Sequence, residues 1–246
     1  MPDPIAVIRE GTGPEIVLVH GGASPSTTWS ALRPLSSRWT LAFVHRRGYP
    51  PSPPGDHDFD VDADDIERLL EARPHLVAHS YGALGALIVA ARRPTDVRSL
   101  TILEPPVYFV ASGDPEVQRL RRLGDDFLTQ GLDMDPAELR EFLRLAGAPD
   151  VGAGPLSEEV VRSVRRSHGG RLAGEAEPQL EVIRDAGVPC LVASGDHARA
   201  MERICDGLAE ALNAQRLVAP GAGHFVAAAP GFADAFEEFI ASAANG

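Results

Sequence analysis

A serine at 80, a histidine at 224 and a carboxylate at 104 or 196 supply, far apart in the chain, the residue types that nucleophilic acyl chemistry needs. A serine hydroxyl is too weakly acidic to attack carbon unaided at neutral pH. An imidazole must take its proton, and a carboxylate must fix the imidazole's tautomer and steady its cation. Ser80 follows the apolar run His75-Leu76-Val77-Ala78 and precedes the small-residue run Gly82-Ala83-Leu84-Gly85-Ala86. This reads as a strand turning sharply into a helix, which lifts the hydroxyl above a sheet and aims the next N–H groups at whatever the oxygen attacks. Ala78 stands where the usual G-x-S-x-G turn has its first glycine. The bland reading makes Ser80 only a helix cap.

Upstream, Val17-Leu18-Val19 runs into His20-Gly21-Gly22, a turn whose glycines let backbone N–H groups approach a ligand. A developing oxyanion needs such donors, and Gly22 and Tyr81 are the candidates for its hole. Downstream, Arg216-Leu217-Val218-Ala219 reads as a short strand leading to Pro220-Gly221-Ala222-Gly223-His224, which places a lone histidine on a loop suited to a general base. Two carboxylates follow strands. Glu104 ends Leu100-Thr101-Ile102-Leu103 just before Pro105-Pro106, and Asp196 ends Val188 to Ser194. Functional groups gather beyond the carboxyl ends of strands in open α/β sheets, so location alone leaves both open.

With these motifs in this order, the chain resembles the α/β-hydrolase superfamily over nearly its whole length. His45-Arg46-Arg47-Gly48-Tyr49-Pro50-Pro51-Ser52 resembles that superfamily's D-x-R-G-x-G-x-S turn, with His45 for the aspartate and Pro51 for the second glycine. The resemblance implies a serine, acid, histidine triad. Its common G-x-x-D pattern would put the acid at Ala198, so Asp196 comes two residues early. Haloalkane dehalogenases often take their acid from the earlier strand, and Leu103-Glu104-Pro105 looks like that arrangement, as His20 to Trp29 looks like their oxyanion loop. Ser80 in place of their aspartate nucleophile argues against dehalogenation. The resemblance therefore favours Glu104, with Asp196 as the alternative acid and as a cap for a helix over 199–212.

The elements that must hold these residues alternate strand and helix from Ile5 to about Leu103 and again after Val188, which implies an α/β fold with a mainly parallel central sheet flanked by helices. Residues 1–105 and 187–246 are expected to form this core. Residues 106–186 lack strand periodicity and predict helices over 115–130, 136–145, 157–168 and 177–185, a helical cap insert within one folding unit. Tyr108 and Phe109 are its expected substrate-pocket residues. Asp60 to Arg73 predicts a solvated acidic helix with Val61, Ile66, Leu69 and Leu70 inward.

The chain has 246 residues, 44% of them hydrophobic, enough for one large core. A formal net charge of −12 argues against a nucleic-acid partner or an anionic membrane surface. All the basic side chains are arginine, which excludes a Schiff base on lysine and a Ser–Lys dyad. Cys190 and Cys205 fall in apolar elements and read as packed thiols, and with no leader or spanning segment the expected setting is the cytoplasm. His75 and His79 lie on a strand, too far apart for a metal pair, so neither metal nor cofactor is implied. The reading is a serine hydrolase of a carboxylic ester or related acyl bond on a small, apolar substrate. A binding or biosynthetic auxiliary protein with little turnover, a C–C bond hydrolase and an acyltransferase remain alternatives.

Overall fold

The computed structural model describes residues 3–148 and 151–243. Seven strands, β1 (Val7–Glu10), β2 (Glu15–Val19), β3 (Thr40–Val44), β4 (His75–His79), β5 (Ser99–Leu103), β6 (Cys190–Ser194) and β7 (Gln215–Val218), form one sheet in the order β1-β3-β2-β4-β5-β6-β7. Only β1 is antiparallel to its neighbour. Strands buried on both faces need apolar residues at every position, and successive side chains then serve opposite layers. On β2, Val17 and Val19 enter one cluster while Ile16 and Leu18 enter the other; β3 and β6 divide in the same way.

The first layer holds α2 (Phe59–Glu67), α3 (Gly82–Arg92) and α8 (Arg199–Leu212); the second holds α1 (Pro25–Trp29) and α9 (Phe232–Ala243). Helix α3 can lie close to α2 because Gly85 has no side chain: a Cβ there would stand 2.8 Å from that of Asp62. Helix α2 departs from expectation. It ends at Glu67, and Val61 is 38% exposed, while Asp62 and Asp65 point inward. Two buried guanidinium groups reverse its polarity, Arg46 pairing with Asp62 at 2.6 Å and Arg47 with Asp65 at 2.7 Å.

Between β5 and β6 run α4 (Pro115–Gln130), α5 (Pro136–Leu145), α6 (Glu158–Ser167) and α7 (Leu180–Asp185). Asp114, Asp135 and Ser157 cap the first three through side-chain oxygens, and a proline follows each aspartate where no N–H is required. The fourth begins three residues later than 177. Apolar side chains of this segment, among them Tyr108, Leu123, Leu143 and Val164, join the first-layer cluster. Cys190 and Cys205 are buried free thiols. No helix among the described residues is long and apolar enough to cross a membrane.

Candidate active site

Just beyond β4, β5 and β6 stands a non-glycine residue in the left-handed region: Ser80 at φ 53° and Glu104 at 42°, each directly after its strand, and Asp196 at 52°, two residues after β6. Such a backbone is costly for a side chain and turns the chain sharply away from the sheet. At Ser80 it is held by an N–H bond to the Leu103 carbonyl (2.9 Å) and by close neighbours on both sides. A Cβ on Gly21 would stand 2.6 Å from that of Ser80, and one on Gly82 would stand 2.2 Å from the His20 carbonyl oxygen. Those two glycines are therefore required by space. Ala78 needs no replacement, because it lies in β4 rather than in the turn.

His224 follows a turn with Gly221 at φ 113° and Gly223 at 55°. Its Nδ1–H donates to Glu104 Oε2 at 2.7 Å, and its carbonyl accepts from His79 Nε2 at 2.8 Å. His79 is thereby a neutral pin: burial, then the His224 charge, lower its pKa to about 3. Glu104 Oε1 accepts from the Gly195 N–H at 2.7 Å and lies 3.2 Å from Nδ1 of His197, which is not aligned for a hydrogen bond. Burial would raise the Glu104 pKa, but His197 and His224 outweigh it and hold it at about 2. Burial opposes the charge of His197, and Glu104 overrides it, so that pKa is raised. Nε2 of His197 donates to the Leu145 carbonyl at the end of α5 (3.0 Å).

Ser80, Glu104 and His224 line one cavity of about 440 Å³, together with Gly22, Tyr81 and Tyr108. The Ser80 hydroxyl enters no hydrogen bond with His224 or any other described residue. The geometry joins Glu104, not Asp196, to the imidazole. Asp196 is exposed, and its N–H donates to Glu202 Oε1; nor does it cap α8, whose capping position is Ala198 without a side-chain bond. Phe109 is also displaced from its expected place: 49% exposed, it lies on the turn Tyr108–Ala111, of which only Tyr108 lines the cavity.

The loop at Gly22 is fixed by groups that sequence reasoning passed over. Gly21's carbonyl accepts from His20 Nδ1 and from Arg46 Nη1, both at 3.0 Å. A peptide's N–H points opposite its C=O, so gripping this carbonyl turns the Gly22 N–H the other way. Gly22's own carbonyl accepts from the Tyr49 hydroxyl at 2.8 Å. His20 Nε2 accepts the Arg46 N–H, which sets its tautomer. Tyr81 is anchored by its hydroxyl, whose one proton is shared between the carbonyls of Arg171 (2.9 Å) and His57 (3.1 Å). Arg46 sits in the R-G turn noted above, and Asp62 in an acidic run; neither type of signal marks a side chain as buried.

Among the described residues, Glu104, His197 and His224 form the group whose ligand-capable atoms come within 4.8 Å. The His224–Glu104 hydrogen bond, the His197–Glu104 ion-pair contact and the bonds to Gly195 and Leu145 make the set a polar network with the carboxylate at its centre. A sequence profile described as the alpha/beta hydrolase family matches residues 16–240. The chain is 34% identical over 184 residues to a pimeloyl-[acyl-carrier protein] methyl ester esterase of Methylococcus capsulatus, covering 72% of this chain and 69% of the relative. It is 27% identical over 241 residues to a 2-(acetamidomethylene)succinate hydrolase of Mesorhizobium japonicum, covering 89% and 84%. A thermophilic esterase from Thermogutta terrifontis has the same fold, with a TM-score of 0.68 and 20% identity over 97% of this chain and 93% of that one. The chain belongs to the alpha/beta hydrolase family and is a hydrolytic enzyme.

Proposed function

We propose that this enzyme cleaves a carboxylic ester through a covalent acyl intermediate on Ser80. The observation that carries this reading is the 2.7 Å bond from His224 Nδ1 to Glu104, made beside the cavity that Ser80 also lines. With Nδ1 committed, Nε2 is the ring nitrogen left to take the Ser80 proton as Oγ bonds to the ester carbon. The same proton then goes to the departing alkoxide as the C–O bond breaks. Water, deprotonated in its turn by His224, attacks the acyl carbon and frees Ser80. The N–H groups of Gly22 and Tyr81 receive the oxyanion, each worth about 3 to 4 kcal/mol. Two relatives named as a methyl ester esterase and a hydrolase support this class of bond.

Residues 106–186 act as the cap. Leu120, Phe127, Phe142 and Leu143 line the cavity from that segment and suit an apolar acyl or alcohol group. The free thiols fit a reducing, cytoplasmic setting. Mass spectrometry after exposure to a fluorophosphonate is the direct test: the adduct is expected on Ser80 and absent in Ser80→Ala. Labelling elsewhere, or none alongside failure on a broad ester panel, counts against the reading.

A further inference from the structure

We infer that Arg166 forms a carboxylate-binding subsite in the cavity wall, so that the preferred ester also carries a carboxylate. The substrate class rests on the ester-hydrolase reading; the subsite itself does not.

Two arginines of α6 line the cavity. Arg162 is largely exposed and held by Glu158 at 3.3 Å. Arg166 is half-buried, and among the described residues no carboxylate pairs with it. It rests instead on an aromatic ring, its guanidinium carbon 4.4 Å from the centroid of Tyr49. That contact seats the guanidinium against Tyr49 and leaves its N–H donors without a carboxylate partner. A guanidinium keeps its charge at any ordinary pH, so a half-desolvated one without a counter-ion is an incomplete ion pair. The stacked Tyr49 also holds the Gly22 carbonyl, which the Ser163 hydroxyl of α6 reaches at 3.4 Å. Arg166 is thus mounted directly over the loop that abuts Ser80.

The cavity walls differ in kind. Ser24, Thr27, Ser163 and Ser167 lie with Arg166 among the lining residues, while Leu120, Phe127, Phe142 and Met201 supply apolar surface. His57, also in the lining, is kept neutral by burial and by Arg46 and Arg166, so it adds no competing charge. One guanidinium matches one negative charge. A phosphate monoester would bring a second, with Glu159 lining the same cavity. A carboxylate is the better fit, and its planar oxygens suit the guanidinium edge.

The test compares para-nitrophenyl hemiglutarate with the para-nitrophenyl ester of the neutral monoamide. The ratio of kcat/KM, acid over amide, is expected to fall about tenfold or more in Arg166→Gln. Arg165→Gln, which removes an exposed charge one residue away, should keep the wild-type ratio, and Arg166→Lys should recover part of it. Separately, calorimetric titration of glutarate into Ser80→Ala should show binding that weakens about tenfold when Arg166→Gln is added. An unchanged ratio, or glutarate binding indifferent to position 166, overturns the subsite. Inorganic phosphate binding more tightly than glutarate overturns the carboxylate assignment. If glutarate binding depends on Arg166 while neither ester is cleaved, the subsite stands and the ester reading fails.

Discussion

Glu104 serves His224, His197 and the Gly195 N–H at once, and this crowding keeps it ionised where burial alone would neutralise it. Replacing it by glutamine leaves the shape but removes the charge that steadies the imidazolium. Glu104→Gln should lower kcat by about 10³ to 10⁴ in ester hydrolysis, while exposed Asp196→Asn should stay within about twofold. The reverse ranking would move the acid to β6. His197 gives a pH signature. Its pKa is raised in the folded state, so its contribution to stability is complete below the ordinary value of 6.5 and is lost as pH rises through the raised one. The melting temperature of the wild type should exceed that of His197→Gln by more at about pH 5.5 than at about pH 9. An advantage independent of pH would show that His197 is merely packed. No spacing rule pointed to this residue, because its role depends on meeting a carboxylate from another strand and a carbonyl from α5.

At the scale of elements, the loop proposed to hold the oxyanion depends on a pair in which neither partner lines the cavity. Arg46 is buried, reaches the Gly21 carbonyl and is neutralised by Asp62 on α2. Asp62→Asn should destabilise the fold by about 3 to 5 kcal/mol, since it strands a buried cation. The double variant Arg46→Met, Asp62→Leu should regain most of that stability, measured by denaturant unfolding, yet remain poorly active because nothing grips the Gly21 carbonyl. Recovery of activity together with stability would count against the positioning role. Strands and helix starts were legible here because their causes are local: apolar runs buried on two faces, and aspartate–proline caps at 114 and 135. The inward carboxylates of α2 were not, because periodicity reports hydrophobicity and cannot register a guanidinium arriving from a loop.

For the whole molecule, the first-layer core encloses both Cys190 and Cys205, and burial pushes the Cys190 thiol up to about 12. Thiol reagents should modify the native protein at least about a thousandfold more slowly than the unfolded chain, with both sulfurs released together. Fast labelling of one alone would reveal local opening around β6 or α8. The order serine, acid, histidine and the alternation of elements made the architecture readable from the chain. The cavity's arginine and its aromatic support were unreadable, because Tyr49 and Arg166 are brought together only by the placement of α6 over a loop of the core.

The left-handed backbone that recurs just beyond β4, β5 and β6 carries a functional side-chain type at each strand tip, a serine and two carboxylates. A chain that leaves the sheet this way at three neighbouring tips gathers those side chains on one rim without altering the hydrogen-bonded strands beneath.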